Sequence, residues 1–410
     1  MRYSIKSVKF SDGERFFNLF SADSIPMYWP TLWTLSEYRG TGKSINTIES
    51  ALRSVKSLYG FLDESEINLE KRLNEGLLLS MDELEGLINY LRYYTKKNSS
   101  TSKVINLKKK RFSAKSLGVL SHGAFAARLI YVSSYLSFRV DTASSKLNHS
   151  SHIKISLAQA KDVLRGFFKA RSPKNNSNGI DDRQGLEPTK LQALRKVSQS
   201  SFQRNAWKRD SVRFRNELII NLLIETGIRR GELLNIKVED INFQSQTLKI
   251  LRRPGDPSDS RLHQPLVKTR SREIPISPLT CEALRIYVFE YRAGREAAKK
   301  HGFLFTSTLS GKPLSLKSCN AIFDKIRSNF PELSEGLHPH ILRHTWNDIF
   351  SERADASGVS EDMEKKLRAE LMGWSPTSDM PSHYTKRHIR KKAKEILEKQ
   401  QEKALRDLDE

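Results

Sequence analysis

The sequence predicts a mainly α-helical protein that carries one small antiparallel β-sheet and is divided into two domains. At 410 residues the chain is longer than most single domains. Apolar residues recur at helical spacing along much of it, whereas 246–253 and 266–277 alternate apolar and polar residues as strands do. Hydrophobic residues make up 38% of the chain, which is enough to fill packed cores.

The first 170 residues read as mostly helical and basic. In the stretch SINTIESALRSVKSLYGFL, apolar residues recur every three or four positions, and Ser44 or Thr47 is available as an N-cap. A second segment opens with an acidic first turn, and the basic run KKKR (108–111) lies between helices. The predicted helices are 44–62, 80–94, 121–140 and 156–170.

A polar linker separates the two halves. The stretch RSPKNNSNGIDDRQG (171–185) is rich in Asn, Ser, Gly and Pro and lacks apolar periodicity. We therefore predict an N-terminal extension over 1–40, a helical domain over 41–170 and a second domain over 186–388. Residues 389–410 are expected to form a terminal helix, because Ile389, Ala393, Ile396 and Leu397 share one helical face.

The second domain is predicted to mix helices with the small sheet. The segment 215–227 ends at Gly227, a residue suited to a helix C-cap. The strand pattern 266–277 is expected to turn around 269–271. The predicted helices are 187–199, 215–227, about 279–299, 315–328, 341–353 and 360–373.

Charge predicts a polyanionic partner. Seventy Lys and Arg against 47 Asp and Glu give a net charge of +23, and each phosphate that a cation neutralises releases condensed counterions. The two cysteines, Cys281 and Cys319, form no disulfide framework, so a reducing cytoplasm is expected. No run of about 18 uncharged apolar residues occurs, so we expect no membrane span.

The stretch LHPHILRHTW (337–346) sets three histidines and an arginine within seven positions. Its residues alone allow a metal site, a general base or a phosphate grip. Arg343 stands between His340 and His344, which opposes a divalent metal electrostatically. Pro339 suits the first position of a helix, where free N–H groups favour anions, and His340 and Arg343 then share one face. Phosphate binding is therefore the favoured interpretation, without a metal.

Five further residues are ambiguous when each is taken alone. Arg229 and Arg230 in ETGIRRGELLNI suit phosphate, but an ion pair with Glu225 or Glu232 is the commoner explanation. Lys268, next to a predicted turn, is more often a solvated lysine than a proton donor. Trp374 and Tyr384 are more often packed or surface aromatics than reactive groups.

The order of these elements resembles the tyrosine recombinase (phage integrase) family. The stretches TGIRRGELLNI, KTRSREIPI, HPHILRHTW, LMGW and HYTK follow one another in the family's order. The resemblance implies a helical core-binding domain of SAM-like fold over 41–170 and an α+β catalytic domain over 186–388. The sequence departs from the family in two places: a long stretch between His340 and Trp374, and an insertion at 253–264.

The resemblance also implies a role for each matching residue. Tyr384 corresponds to the nucleophile, and Lys268 to the lysine that protonates the leaving group. His344 corresponds to a packing residue, whereas Arg230 and His338 match no role. The implied active-site set is Arg229, Lys268, His340, Arg343, Trp374 and Tyr384.

The implied activity is site-specific DNA recombination through a 3′-phosphotyrosyl intermediate and a Holliday junction, without cofactor or metal. The implied partners are double-stranded DNA, further copies of the chain in a tetramer, and accessory recombination proteins, at the nucleoid of a bacterial or phage-like system. The C-terminal helix is expected to contact a neighbouring protomer, with docking on its own catalytic domain as the alternative. Two rival functions remain open: a type IB topoisomerase and a DNA-binding accessory protein with an idle recombinase fold.

Overall fold

A computed structural model describes residues 3–11, 13–93, 118–145, 147–148, 151–173 and 184–409. The chain divides into two compact units, and the division falls between the helix that ends at Arg171 and the helix that begins at Pro188. The basic run 108–111 and positions 174–183 of the predicted linker lie outside the described residues. Each unit has its own hydrophobic core.

The first unit is a helical domain with an N-terminal β-hairpin. Strands β1 and β2 pair antiparallel, a feature that the sequence reasoning missed. All four helices predicted in this half are confirmed as α2, α4, α5 and α6. The elements are β1 (Ser4–Lys9), β2 (Arg15–Phe20), α1 (Tyr28–Thr34, continued by a π-helical turn Leu35–Arg39), α2 (Ile45–Glu64), α3 (Leu69–Asn74), α4 (Met81–Arg92), α5 (His122–Ser144) and α6 (His152–Arg171).

Local caps set the helix starts in this unit. The Ser44 hydroxyl accepts a hydrogen bond from the Thr47 N–H, which fixes the start of α2. Ser80 and Glu83 form a reciprocal capping box at the start of α4. Leu52 of α2 and Leu129 of α5 are fully buried in the shared core. The apolar faces that the spacing predicted are therefore the faces that pack.

In the second unit, helices surround a three-stranded antiparallel sheet. Within the described residues, no helix combines the length and the apolar composition that a membrane crossing requires. The elements are α7 (Pro188–Ser198), α8 (Asp210–Thr226), α9 (Arg230–Asn235), β3 (Ile241–Asn242), β4 (Thr247–Ile250), β5 (Arg272–Pro275), α10 (Pro278–Ile286, continued by a π-helical turn Tyr287–Arg292), α11 (Glu296–Lys299), α12 (Leu316–Asn329), α13 (Pro339–Ala356), α14 (Glu361–Met372) and α15 (Met380–Asp409).

The sheet corrects one prediction. Strand β4 pairs with both β3 and β5, and Leu248 and Ile274 are opposite each other with buried side chains. Of the predicted strand 266–277 only Arg272–Pro275 is extended in the sheet, so Lys268 does not lie on a strand. Prolines at 254, 257 and 265 remove N–H donors from the preceding stretch 251–265, which disfavours a ladder there.

The irregular stretch 251–271 is nevertheless well anchored. Asp259 and Arg261 form a buried ion pair, with their Oδ1 and Nε atoms 2.9 Å apart. The Arg261 guanidinium also donates to the carbonyls of Leu234 and Leu314. These bonds hold the predicted insertion 253–264 in place without strand pairing.

Two helix predictions need revision in their bounds. The segment 279–299 is divided into α10, a π-helical turn and α11. The C-terminal helix does not begin at residue 389, because α15 runs unbroken from Met380 to Asp409 and already contains Tyr384. Ile389, Ile396 and Leu397 lie exposed on it, while Lys391 and Lys392 pair with Glu352 and Asp355 of α13.

Candidate active site

A left-handed glycine places the first arginine. Helix α8 ends at Gly227 with φ of +61°, and a Cβ atom there would lie 2.7 Å from Cγ of Trp346. The chain then turns, and Arg229 becomes the N-cap of α9. Arg230 points elsewhere and hydrogen-bonds Asn320 of α12. Of the two adjacent arginines, the structure therefore places Arg229 in the candidate site.

Glu232 is a buried anion surrounded by arginines. One of its oxygens accepts from the Arg229 N–H at 2.9 Å and from Arg272 Nη2 at 3.0 Å. Arg229 Nη1 and the Thr269 hydroxyl approach the other oxygen, at 3.3 and 2.7 Å. Burial alone would raise the pKa of Glu232, but Arg272 and Arg343 hold that pKa below its ordinary value. The ion pair between Arg229 and Glu232, one of the two explanations left open, is thus present.

Arg343 enters the same cluster from α13. It is 1% exposed, its Nη1 donates to the Gly227 carbonyl at 2.8 Å, and it lies 4.0 Å from Glu232. Burial and the neighbouring Arg229 lower the pKa of Arg343 to about 9. Its Nη2 atom is buried and has no hydrogen-bond partner in the described part of the chain. This guanidinium keeps one donor available.

The segment after Lys268 joins the cluster to the end of α14. Arg272 donates to the Leu371 carbonyl at 2.6 Å, and Arg270 bonds Gly373 and Trp374 through its N–H and Nε. Lys268 itself is exposed and makes no hydrogen bond or ion pair with the described residues. The structure thus anchors the backbone beside Lys268, while its ammonium group extends into solvent.

Trp374 and Tyr384 stack with nearly parallel, offset rings. Their ring centroids are 5.7 Å apart with an interplanar angle of 13°, and Tyr384 is 5% exposed. The Arg343 guanidinium carbon lies 5.3 Å from the Trp374 centroid. The Trp374 Nε1–H, like Arg343 Nη2, is buried without an acceptor among the described residues. Two unpaired donors therefore adjoin a buried tyrosine.

The three histidines have three different surroundings. His338 is the N-cap of α13, since its Nδ1 accepts from the Ile341 N–H at 3.1 Å. His340 is exposed on the first turn, and its ring meets that of His344 edge-on at 4.7 Å. His344 is buried, with Nδ1 3.1 Å from the Tyr384 hydroxyl.

The contact between His344 and Tyr384 was missed from the sequence, where His344 was assigned to packing alone. Its position one residue after Arg343 and four after His340 was the available signal. The structure thus brings together Arg229, Arg343, Trp374 and Tyr384, with His340 reaching them through His344. Over the described ranges, no group of three or more His, Cys, Asp or Glu could hold a metal ion.

Comparison with known proteins identifies the family to which the chain belongs. The sequence profile of the phage integrase family matches residues 186–390, half of the chain, and the chain belongs to this family. It is a tyrosine recombinase, an enzyme that transfers DNA strands. The predicted family and the predicted fold class, mainly helical with a small antiparallel sheet, are therefore confirmed.

Individual proteins of this kind share only 15–28% of their aligned residues with the chain. Transposase A from transposon Tn554 of Staphylococcus aureus is 24% identical over 329 residues, which cover 77% of this chain and 78% of that protein. Tyrosine recombinase XerC of Staphylococcus carnosus is 28% identical over 146 residues, 35% of this chain and 43% of XerC. Among solved structures, a lambda integrase dimer bound to a COC′ core site has a TM-score of 0.46 at 15% identity, covering 87% of this chain and 75% of that one.

Proposed function

We propose that this enzyme is a site-specific recombinase that cuts and rejoins DNA through a 3′-phosphotyrosyl link to Tyr384. The observation that carries the proposal is the pair of buried donors without acceptors, Arg343 Nη2 and Trp374 Nε1, beside the Tyr384 ring. Buried donors are normally paired, so an acceptor that arrives from outside accounts for both. A phosphodiester oxygen is such an acceptor, and it suits the planar guanidinium fork.

The proposed bond exchange assigns one step to each of these groups. The Tyr384 oxygen attacks the scissile phosphorus, and the bond from phosphorus to the 5′-oxygen breaks. The Tyr384 proton passes to His344 Nδ1, its neighbour at 3.1 Å. Lys268, on its anchored but exposed segment, protonates the leaving 5′-oxygen.

Charge stabilisation is divided between the two arginines. Arg229 and Arg343 bind the non-bridging oxygens, and the loss of one such donor costs about 2.7–4 kcal/mol of transition-state stabilisation. His340, exposed on the first turn of α13, hydrogen-bonds the same phosphate. Trp374 adds an N–H donor and shields the site from water.

Rejoining reverses these steps on a second strand. A 5′-hydroxyl of the partner DNA attacks the phosphotyrosine, which restores Tyr384 and forms a new phosphodiester. Two such exchanges pass through a Holliday junction, with double-stranded DNA held by a tetramer of this chain. The net charge of +23 supports binding to the duplex.

Mobilisation of a genetic element is the role that we favour for this recombinase. The alignment with the Tn554 transposase spans 77% of the chain, whereas the alignment with XerC spans 35%. The similarity to the transposase therefore extends beyond the catalytic unit. DNA flanking the gene for this protein is accordingly the substrate to use first.

Trapping the covalent intermediate tests the proposal. The full chain is incubated with a nicked suicide duplex from its own flanking DNA, and adducts are resolved on a denaturing gel. Wild-type protein should form adducts, and Tyr384→Phe should bind the duplex without forming any. Tyr291→Phe is the matched control, because Tyr291 stacks on Phe214 outside the site.

Three results would contradict the proposal. Adducts with Tyr384→Phe would show that the nucleophile is a different residue. Binding without adducts by the wild-type protein would favour an idle accessory protein. Relaxation of supercoiled plasmids that lack the flanking sequence would favour a type IB topoisomerase.

A further inference from the structure

A second buried arginine, Arg368 of α14, lies against the candidate nucleophile. Its side chain is fully buried, and its guanidinium carbon is 5.5 Å from the centroid of the Tyr384 ring. Trp374 stacks on the same tyrosine. Arg343 lies over Trp374 in turn. The two aromatic rings and the two buried cations are thus linked by successive contacts.

A polar network holds Arg368 in place. Its Nη2 forms a buried ion pair with Glu364 and donates to the Ser351 hydroxyl at 2.6 Å. Its Nη1 is 3.3 Å from the carbonyl and side-chain oxygens of Asn347. Ser351 donates in turn to Glu364 at 2.9 Å. Helices α13 and α14 therefore fix this guanidinium from two sides.

Stability alone gives a weak reason for this arrangement. Buried ion pairs are often no more stabilising than apolar side chains of similar volume, because both charges must be desolvated. Burial lowers the pKa of Arg368, although Glu364 opposes that change. Arg368 lies against two rings, 5.1 Å from the Phe350 centroid and 5.5 Å from the Tyr384 centroid. Of these two rings only that of Tyr384 carries an ionisable hydroxyl, so a charge maintained at such a cost points to a role that involves Tyr384.

We propose that Arg368 is a positioning residue for the nucleophile: it holds the Tyr384 ring against Trp374 and stabilises the negative charge that develops on the phenol during attack. The inference rests on the proposed function of Tyr384. A cation near an aromatic ring is attracted to its π-electrons. That attraction grows as the hydroxyl loses its proton, so the contact favours the transition state over the resting phenol.

Charged and titratable groups of two helices face Tyr384. Helix α13 contributes Arg343 and His344, and α14 contributes Arg368. In the proposed reaction His344 receives the proton and Arg343 binds phosphate, whereas Arg368 lies over the ring and acts on it. Removal of its charge should raise the pH at which Tyr384 becomes reactive, because phenolate character becomes harder to reach.

The test measures single-turnover cleavage of the suicide duplex as a function of pH. Arg368→Met should slow cleavage about 10- to 30-fold at neutral pH and move the midpoint of the pH–rate profile upward. Arg368→Lys should restore part of the rate. The double variant Glu364→Gln/Arg368→Met removes both charges together and provides a second measurement if Arg368→Met folds poorly.

Arg139→Met is the matched control. Arg139 is equally buried, pairs with Glu70 at 2.7 Å and lies 4.0 Å from the Trp29 ring, but all of these residues belong to the first unit. The midpoint of the pH–rate profile of Arg139→Met should equal that of the wild type. A slower rate with an unchanged midpoint in both Arg368→Met and the double variant would reduce Arg368 to a structural role. A failure of the proposed function is distinguishable, because wild-type adducts would then be absent or independent of Tyr384.

Discussion

Substitution of Glu232 by Gln is expected to destabilise the second unit strongly. The change keeps the shape of the side chain but removes a carboxylate that contacts Arg229, Arg272 and Arg343. Loss of one partner from a buried ion pair costs about 3–5 kcal/mol. Because the amide oxygen can still accept from Thr269, we expect the lower end, about 3 kcal/mol. For a domain of this size that corresponds to a fall in melting temperature of about 6–12 °C.

The effect should depend on pH with a defined sign. Glu232 has a pKa below its ordinary value of 4.5 in the folded protein. Its contribution to stability is therefore fully present above pH 4.5 and is lost as the pH falls through the folded pKa. The difference in stability between wild type and Glu232→Gln should be constant near neutrality and should shrink in acid.

Thermal and urea unfolding at several pH values measure both effects. Glu225→Gln is the matched control. The Glu225 carboxylate accepts hydrogen bonds from the Ser277 N–H and the Thr280 hydroxyl, which are uncharged donors, whereas Glu232 pairs with arginines. The control should lose much less stability than Glu232→Gln. Equal losses in the two variants, or a melting temperature for Glu232→Gln within about 2 °C of wild type at pH 7, would refute the idea that Glu232 neutralises the arginine cluster.

Two further predictions concern the proton acceptor and the C-terminal helix. His344→Asn should slow covalent adduct formation by about 10²–10⁴-fold, whereas His338→Asn, which keeps a helix cap, should cleave normally; a fast His344→Asn enzyme would exclude His344 as the base. Deletion of 390–410 should spare binding to a single site but abolish the paired-site complex on native gels, because Ile396 and Leu397 are exposed and available to another protomer. Normal pairing by the truncated protein would refute a role for this exposed apolar face in contact between protomers.

Features set by a few neighbouring residues were predictable from the sequence. The start of α2 at Ser44, the start of α13 at Pro339 and the end of α8 at Gly227 each depend on interactions within one helical turn. The order of the short motifs was likewise enough to indicate the family, because each motif couples a reactive residue to a local turn or helix start. Lys268 is the exception, since its predicted strand is irregular.

The active-site environment was decided by tertiary structure. Glu232 meets Arg272 from 40 residues away, and Arg343 bonds the Gly227 carbonyl across 116 residues. Periodicity along one helix carries no information about such contacts, because helix packing sets which buried charges meet. The same applies to His344 and Arg368, whose positions in sequence indicate only that they lie on helices. Their positions beside Tyr384 are set by the packing of α13 and α14 against α15, which the sequence by itself does not specify.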